Sequence, residues 1–208
     1  MKVLLVNGSP RGNGCTYTAL AEIASELEKE SISTEIFHIG AKPIPGCVAC
    51  GGCAGVGKCM SADDCVNVFL EKAKAADGFV FGSPVYFASA AGTLSAFMDR
   101  VFYVGRNTVF PLKPAAAIVS CRRAGASAAL DNLNKYITIS QMPLVSSRYW
   151  NMVHGNTPDE VRQDLEGMQV MRCVGRNMAW LLKSIEAGRQ AGIKTPELEP
   201  AVRTNFIR

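Results

Sequence analysis

The residues best equipped for chemistry stand in two groups. Four of the eight cysteines cluster as Cys47, Cys50, Cys53 and Cys59, a C-x2-C-x2-C-x5-C pattern. Thiolates at the first three spacings can wrap one [4Fe–4S] unit. Four thiolates also suit a tetrahedral structural zinc, and reduced cysteines with no metal are the third reading. Gly51, Gly52, Gly55 and Gly57 let the backbone curl tightly here. The second group is the loop Gly8-Ser-Pro-Arg-Gly-Asn-Gly-Cys-Thr16, in which Ser9, Arg11, Asn13 and Thr16 carry hydrogen-bonding heads. An apolar run precedes it and a helical pattern follows. Free backbone N–H groups and the helix dipole at such a junction attract an anion, and a phosphate is expected.

The loop is neither of the common nucleotide fingerprints. No Gly-Lys-Ser/Thr follows the glycines, as a triphosphate cradle requires. Tyr17 stands where a dinucleotide loop needs its third glycine or alanine, and His38 and Gly40 stand where it needs a ribose-binding acid. A mononucleotide fits better. Two later loops are placed to join it. Gly82-Ser-Pro-Val-Tyr-Phe-Ala88 offers a proline turn and two aromatics, suited to a flat heteroaromatic ring, although Tyr86 and Phe87 could equally pack in a core. Ser120-Cys-Arg-Arg-Ala-Gly-Ala126 brings Arg122, Arg123 and Gly125, and its arginines suit an anionic ring edge or a second phosphate if they are not simply solvated.

These loops need strands and helices to carry them. Strands are expected at 2–7, 33–39, 78–82, 115–120 and 142–147. Leu20, Ile23, Ala24 and Leu27 mark the buried face of a first helix, and Val66, Phe69, Leu70 and Ala73 that of a second, capped by Asp63 or Asp64. Leu94, Phe97, Met98 and Val101 mark a third, and 126–139 a fourth. A last long helix begins at Thr157-Pro158, buries a stripe from Val161 through Leu165 to Ile185, and stops near Gly188. Strands alternating with helices predict an α/β domain over 1–190, a parallel sheet covered on both faces, with an irregular Cys-rich loop at 40–62 and a surface arm at 191–208. Right-handed crossovers then put the strand-to-helix loops on one edge of the sheet, where ligands of such folds bind.

Composition narrows the class further. Apolar residues make up 48% and charged residues 19% of 208, which excludes a disordered or fibrous chain. A net charge of +4 without basic blocks gives no support for nucleic acid. No apolar run is long enough to span a bilayer, and the run at 3–6 is too short for an export signal. A cytoplasmic setting with reduced thiols is therefore expected. Cys15, Cys121 and Cys173 read as buried small residues, and Cys65 as an outside candidate ligand.

The loop 8–16, the run Gly82-Ser-Pro-Val-Tyr-Phe87 and Phe97-Met-Asp-Arg100, in this order, resemble the flavodoxin-like NAD(P)H-dependent FMN reductase family. The cysteine pattern resembles that of its iron-sulfur flavoprotein branch. The resemblance covers most of the chain. It implies a doubly wound five-stranded parallel sheet of order 2-1-3-4-5 and bound FMN. The phosphate would lie near Ser9, Arg11, Asn13, Gly14, Cys15 and Thr16. The isoalloxazine would lie against Pro84, Val85, Tyr86 and Phe87, with Arg122 and Gly125 at the same edge. It also implies a [4Fe–4S] cluster on Cys47, Cys50, Cys53 and Cys59, and a homodimer or homotetramer with Tyr149-Trp-Asn-Met-Val-His-Gly155 over the flavin or in an interface. The expected activity is electron transfer from NAD(P)H or a reduced protein to a small-molecule or protein acceptor. The alternative is a non-enzymatic carrier between protein partners.

Overall fold

The computed structural model describes residues 1–200 together with Val202, Thr204 and Phe206. The elements in chain order are β1 (Lys2–Asn7), α1 (Cys15–Lys29), β2 (Ser33–His38), α2 (Val66–Lys74), β3 (Gly78–Tyr86), β4 (Ser89–Ala90), α3 (Gly92–Gly105), β5 (Ala115–Cys121), α4 (Ala126–Ile139), β6 (Met152–His154), α5 (Pro158–Gln163) and α6 (Leu165–Gln190). The sheet runs β2-β1-β3-β5-β6, all parallel, with the short β4 paired antiparallel to β3. Leaving that hairpin strand aside, this is the expected order 2-1-3-4-5, a flavodoxin-like fold.

Alternation along each central strand builds two cores. Leu4 and Val6 of β1, Phe79 and Phe81 of β3, and Ala115, Ala117 and Val119 of β5 face the layer formed by α2, α3 and α4. Val3 and Leu5, Val80, and Ala116 and Ile118 face α1 and α6. A strand covered on both sides must be apolar at every position, which is why these segments lack a polar face. The first core is phenylalanine-rich: Phe69 packs edge-on against Phe97 with ring centres 5.2 Å apart, and Phe79 against Phe110 at the same distance. In the second, α1 and α6 approach so closely that a Cβ on Gly175 would lie 2.8 Å from Cβ of Glu26.

Several local expectations are corrected. Segment 142–147 is not a strand: it contributes a single bridge, Ala115 to Leu144, because Pro143 has no N–H to donate. The chain leaves the sheet over 146–150 and returns as β6. Asn151 closes the gap, its Nδ2 donating to the carbonyls of Ala117 (3.1 Å) and Val145 (3.4 Å) while its own carbonyl accepts from Val119 N (3.0 Å). The expected long helix is two. Thr157 caps α5 by accepting from Glu160 N, but Asp164 breaks the run and caps α6 by accepting from Gly167 N at 2.9 Å. Leu165 is consequently 77% exposed, not part of the buried stripe, and Ile185 is also exposed. The stop comes beyond Gly188, at left-handed Gly192, where Ile193 N reaches back to the Gly188 carbonyl. β3 runs past Gly82 to Tyr86 because β4 folds back onto it. Cys121 is buried as expected, but Cys15 and Cys173 are half-buried. In the arm, 194–200 are exposed, while Ala201, Arg203, Asn205, Ile207 and Arg208 lie outside the described residues.

Candidate functional site

At the carboxyl edge of the sheet, the loops after β1, β3, β5 and β6 converge on a cavity of about 220 Å³. Its lining combines Ser9, Arg11, Cys15 and Thr16 with Pro84, Val85 and Tyr86, then Ser120, Cys121 and Arg122, then Gly155 and Asn156. Among the described residues, it carries two arginines and no carboxylate, a basic mouth for an anion. α1 opens onto it at Gly14 with no side-chain cap and no acidic residue in the first turn, so nothing in that turn competes for its free N–H groups.

Asn7 shapes the first loop from below. This fully buried side chain accepts from Ser9 N at 3.1 Å and donates through Nδ2 to the Gly12 carbonyl at 3.0 Å. Ser9 Oγ accepts in turn from Arg11 N at 3.1 Å. His38 Nε2 lies 2.8 Å from the Ser9 carbonyl, which only accepts, so the proton sits on Nε2. Gly8 N donates to the Gly82 carbonyl at 2.8 Å, tying the first loop to β3. Thr16 Oγ1 and Ser120 Oγ stand 2.9 Å apart and tie α1 to the end of β5. Burial pushes the Cys15 thiol up, with Glu160 adding to it against Arg11, so the thiol stays protonated.

Asn13, Gly14, Phe87, Arg123 and Gly125 were anticipated but do not line this cavity. Asn13 is exposed and lines a separate cavity with Tyr17, Glu22 and Arg162. Phe87 is 105% exposed at the tip of the β3–β4 hairpin, where it and Ala88 have φ of 51° and 59°, the paired left-handed geometry of a tight hairpin turn. Gly125, at φ 89°, supports that tip: a Cβ there would lie 2.7 Å from Ala88 Cα. Asn7, Ser120 and Asn156 were not anticipated, while Gly155 ends the stretch 149–155 expected over the flavin or in an interface. Asn7 and Ser120 do carry a signal, each being a polar residue at or near the end of an apolar strand. Gly155 and Asn156 follow a strand that sequence placed too early.

The cysteine loop forms a second site on the α3 side. Cys47, Cys50, Cys53 and Cys59 border one cavity of about 310 Å³, with Val48, Met60, Tyr103 and Arg100. Gly51, Gly55 and Gly57 all take left-handed φ near 70°, the curl expected of them. All eight cysteines are free thiols. Among the described residues, no three metal-binding side chains are placed to grip one ion, which favours neither the zinc reading nor the cluster reading. The donor set fits a larger thiolate-bound group in kind: four sulfurs around one cavity, one of them already accepting a cationic N–H. That donor is Arg100, whose Nε lies 3.3 Å from Cys59 Sγ. Burial opposes its charge, but the Asp64 carboxylate and Cys59 outweigh this and hold the guanidinium above its ordinary value. Asp64 also accepts from Val66 N at 3.0 Å, but the N-cap of α2 is Cys65 and not the expected Asp63 or Asp64.

Comparison with known proteins follows the same lines. The chain is 30% identical over 193 residues to an iron-sulfur flavoprotein of Methanocaldococcus jannaschii, covering 89% of this chain and all of that one. It is 28% identical over 195 residues to an iron-sulfur flavoprotein of Methanosarcina thermophila, covering 91% and 99%. In fold it is similar to RosB, solved with a bound riboflavin-5'-phosphate derivative (TM-score 0.71, 16% identity, 100% and 92% covered), and to an archaeal flavodoxin (TM-score 0.57, 16% identity, 88% and 99% covered). The family model for NADPH-dependent FMN reductases matches residues 1–157, and the chain belongs to that family.

Proposed function

We propose that the chain is an FMN-dependent oxidoreductase that takes electrons from NAD(P)H or a reduced protein and passes them to a small-molecule or protein acceptor. The observation that carries this is the single basic cavity uniting the loop of Ser9, Arg11, Cys15 and Thr16 with Pro84, Val85, Tyr86 and Arg122. The uncapped start of α1, with Ser9, Arg11 and Thr16 as side-chain donors, would hold the phosphate. Gly14 and Asn13 shape that turn without lining it. At about 220 Å³ the cavity is small for a whole flavin nucleotide. Tyr86, which is 48% exposed, and Phe87 at the hairpin tip would hold the ring, with Gly125 bracing the hairpin from behind.

Bound FMN would supply hydride and one-electron chemistry that no side chain of the chain offers. The residues contribute binding, orientation and charge. Cys47, Cys50, Cys53 and Cys59 would hold a [4Fe–4S] cluster as a one-electron relay; the similarity to iron-sulfur flavoproteins and the shared cavity support this. A homodimer or homotetramer in a reducing cytoplasm belongs to the same reading. The deciding experiment is anaerobic stopped-flow mixing of the FMN-loaded chain with NADPH and, separately, NADH. Bleaching of the flavin band with either is expected. No bleaching with both sinks the reductase reading in favour of a carrier between proteins, a role that the surface exposure of Cys47 and Cys50 would also serve.

A further inference from the structure

Among the described residues, Arg100 is the largest fully buried side chain, only 1% exposed, and its polar partners all lie in the cysteine loop or at Asp64 just beyond it. Nη1 donates to the Pro45 carbonyl at 3.3 Å, just before Cys47, and to the Asp64 carboxylate just before α2. Nη2 donates to the Ser61 carbonyl at 2.7 Å, and Nε points at Cys59 Sγ. One guanidinium on rigid α3 thus grips both ends of the loop and the sulfur nearest its exit. Cys59 is also fixed through its backbone: its N–H donates to Asn67 Oδ1 at 2.8 Å, and its carbonyl accepts from Asn67 Nδ2 at 2.9 Å. A planar fork with five donors suits this multiple grip, and a lysine could not reproduce it.

Resting on the iron–sulfur reading of the four cysteines, we propose that Arg100 is the positioning residue of that site. It fixes Cys59 as the pre-set ligand onto which Cys47, Cys50 and Cys53 close, and its N–H and charge at that sulfur make a bound cluster easier to reduce. Hydrogen bonds and positive charge at ligating sulfurs act in that direction. The loop's three left-handed glycines and the surface positions of Cys47 and Cys50 leave the other half free to move in.

Two readouts test it on the full chain. In the iron-free protein, trypsin cleavage after exposed Lys58 is slow in the wild type. It accelerates on the order of tenfold in Arg100→Gln, the loss expected from one charge-assisted grip, and by less in Arg100→Lys. In the anaerobically loaded protein, Arg100→Lys shifts the cluster's midpoint potential to more negative values and lowers iron per chain. If Arg100→Gln does not fold, as circular dichroism would show, Asp64→Asn and Asn67→Ala supply the cleavage arm. Unchanged cleavage together with an unchanged potential overturns the proposal. A wild type that takes up no iron overturns the cluster reading and the potential effect with it, while the cleavage rates still decide whether Arg100 pins the loop.

Discussion

Thr16 Oγ1 and Ser120 Oγ, 104 residues apart in sequence, meet at 2.9 Å inside the cavity where four loops converge. They belong to different elements: Thr16 lies in the first turn of α1 and Ser120 near the end of β5. Their contact fixes the phosphate loop relative to the arginine loop. With Ser120 Oγ as the donor of that pair, the Thr16 hydroxyl keeps its own proton to donate toward an anion. Thr16→Val keeps the shape and removes that donor. A hydrogen bond to a charged group is worth about 1.5–3 kcal/mol, so FMN should bind about 10- to 150-fold more weakly. Titration of the apoprotein, followed by flavin fluorescence, reads this directly. Ser120→Ala should cost less, because it loosens the hydroxyl without deleting it.

Gly82 tests how tightly that loop is seated. A Cβ there would lie 2.9 Å from Thr16 Cγ2 and 3.1 Å from both Leu20 methyls. Gly82→Ala must push the start of α1 away from β3. Overpacking of this kind costs about 1–3 kcal/mol, and it also displaces Thr16. The expected outcome is a lower urea midpoint with an unchanged slope, together with weaker FMN binding. Gly8→Ala should be worse, since one of the atoms its Cβ would meet, at 2.7 Å, is the Gly82 carbonyl oxygen, which cannot rotate aside.

The strand-by-strand alternation of Val3, Leu4, Leu5 and Val6, together with the loop that follows, was legible because burial on both faces forces an unbroken apolar run. The same reasoning placed Thr157 as a cap. It failed where a side chain replaced backbone. The run 142–147 reads as a strand by composition, yet Pro143 and the amide of Asn151 decide otherwise. The hairpin tip misled for a different reason. Phe87 and Ala88 occupy left-handed positions that usually go to glycine or asparagine, so no turn signal marked the end of β3. At the site, Ser9, Arg11 and Thr16 could be chosen by type, but Asn7 and Arg100 act through contacts that span loops, and sequence spacing does not encode those.

Asn151 offers the sharpest check on the interrupted edge. Its Nδ2 satisfies two carbonyls that a continuous strand would have paired through backbone N–H groups. Asn151→Ala leaves the buried Ala117 carbonyl without that partner, at a cost of about 1–3 kcal/mol. Amide hydrogen exchange should rise in 145–153 while the β1 and β3 amides keep their protection. Asn151→Asp should be worse, because an ionised carboxylate would face those carbonyls with no proton to donate.

Acid sensitivity should trace to Glu26, which joins α1 to α6. Its carboxylate is 96% removed from solvent by the packing around Gly175 and accepts from Lys29 at 2.5 Å and Arg176 at 2.6 Å. The Lys29 bond, opposed by burial and reinforced by Arg176, holds its pKa below the ordinary 4.5. A carboxylate depressed in the folded state stabilises above its unfolded pKa, and that contribution is lost as pH falls through the lower folded value. Both cations are largely in solvent, so the contribution is about 1 kcal/mol. Glu26→Gln should therefore unfold at lower urea than the wild type at pH 7, and the two midpoints should converge as the pH drops below about 4. A gap that persists undiminished at pH 3 would assign the loss to packing against Gly175 and not to the charge.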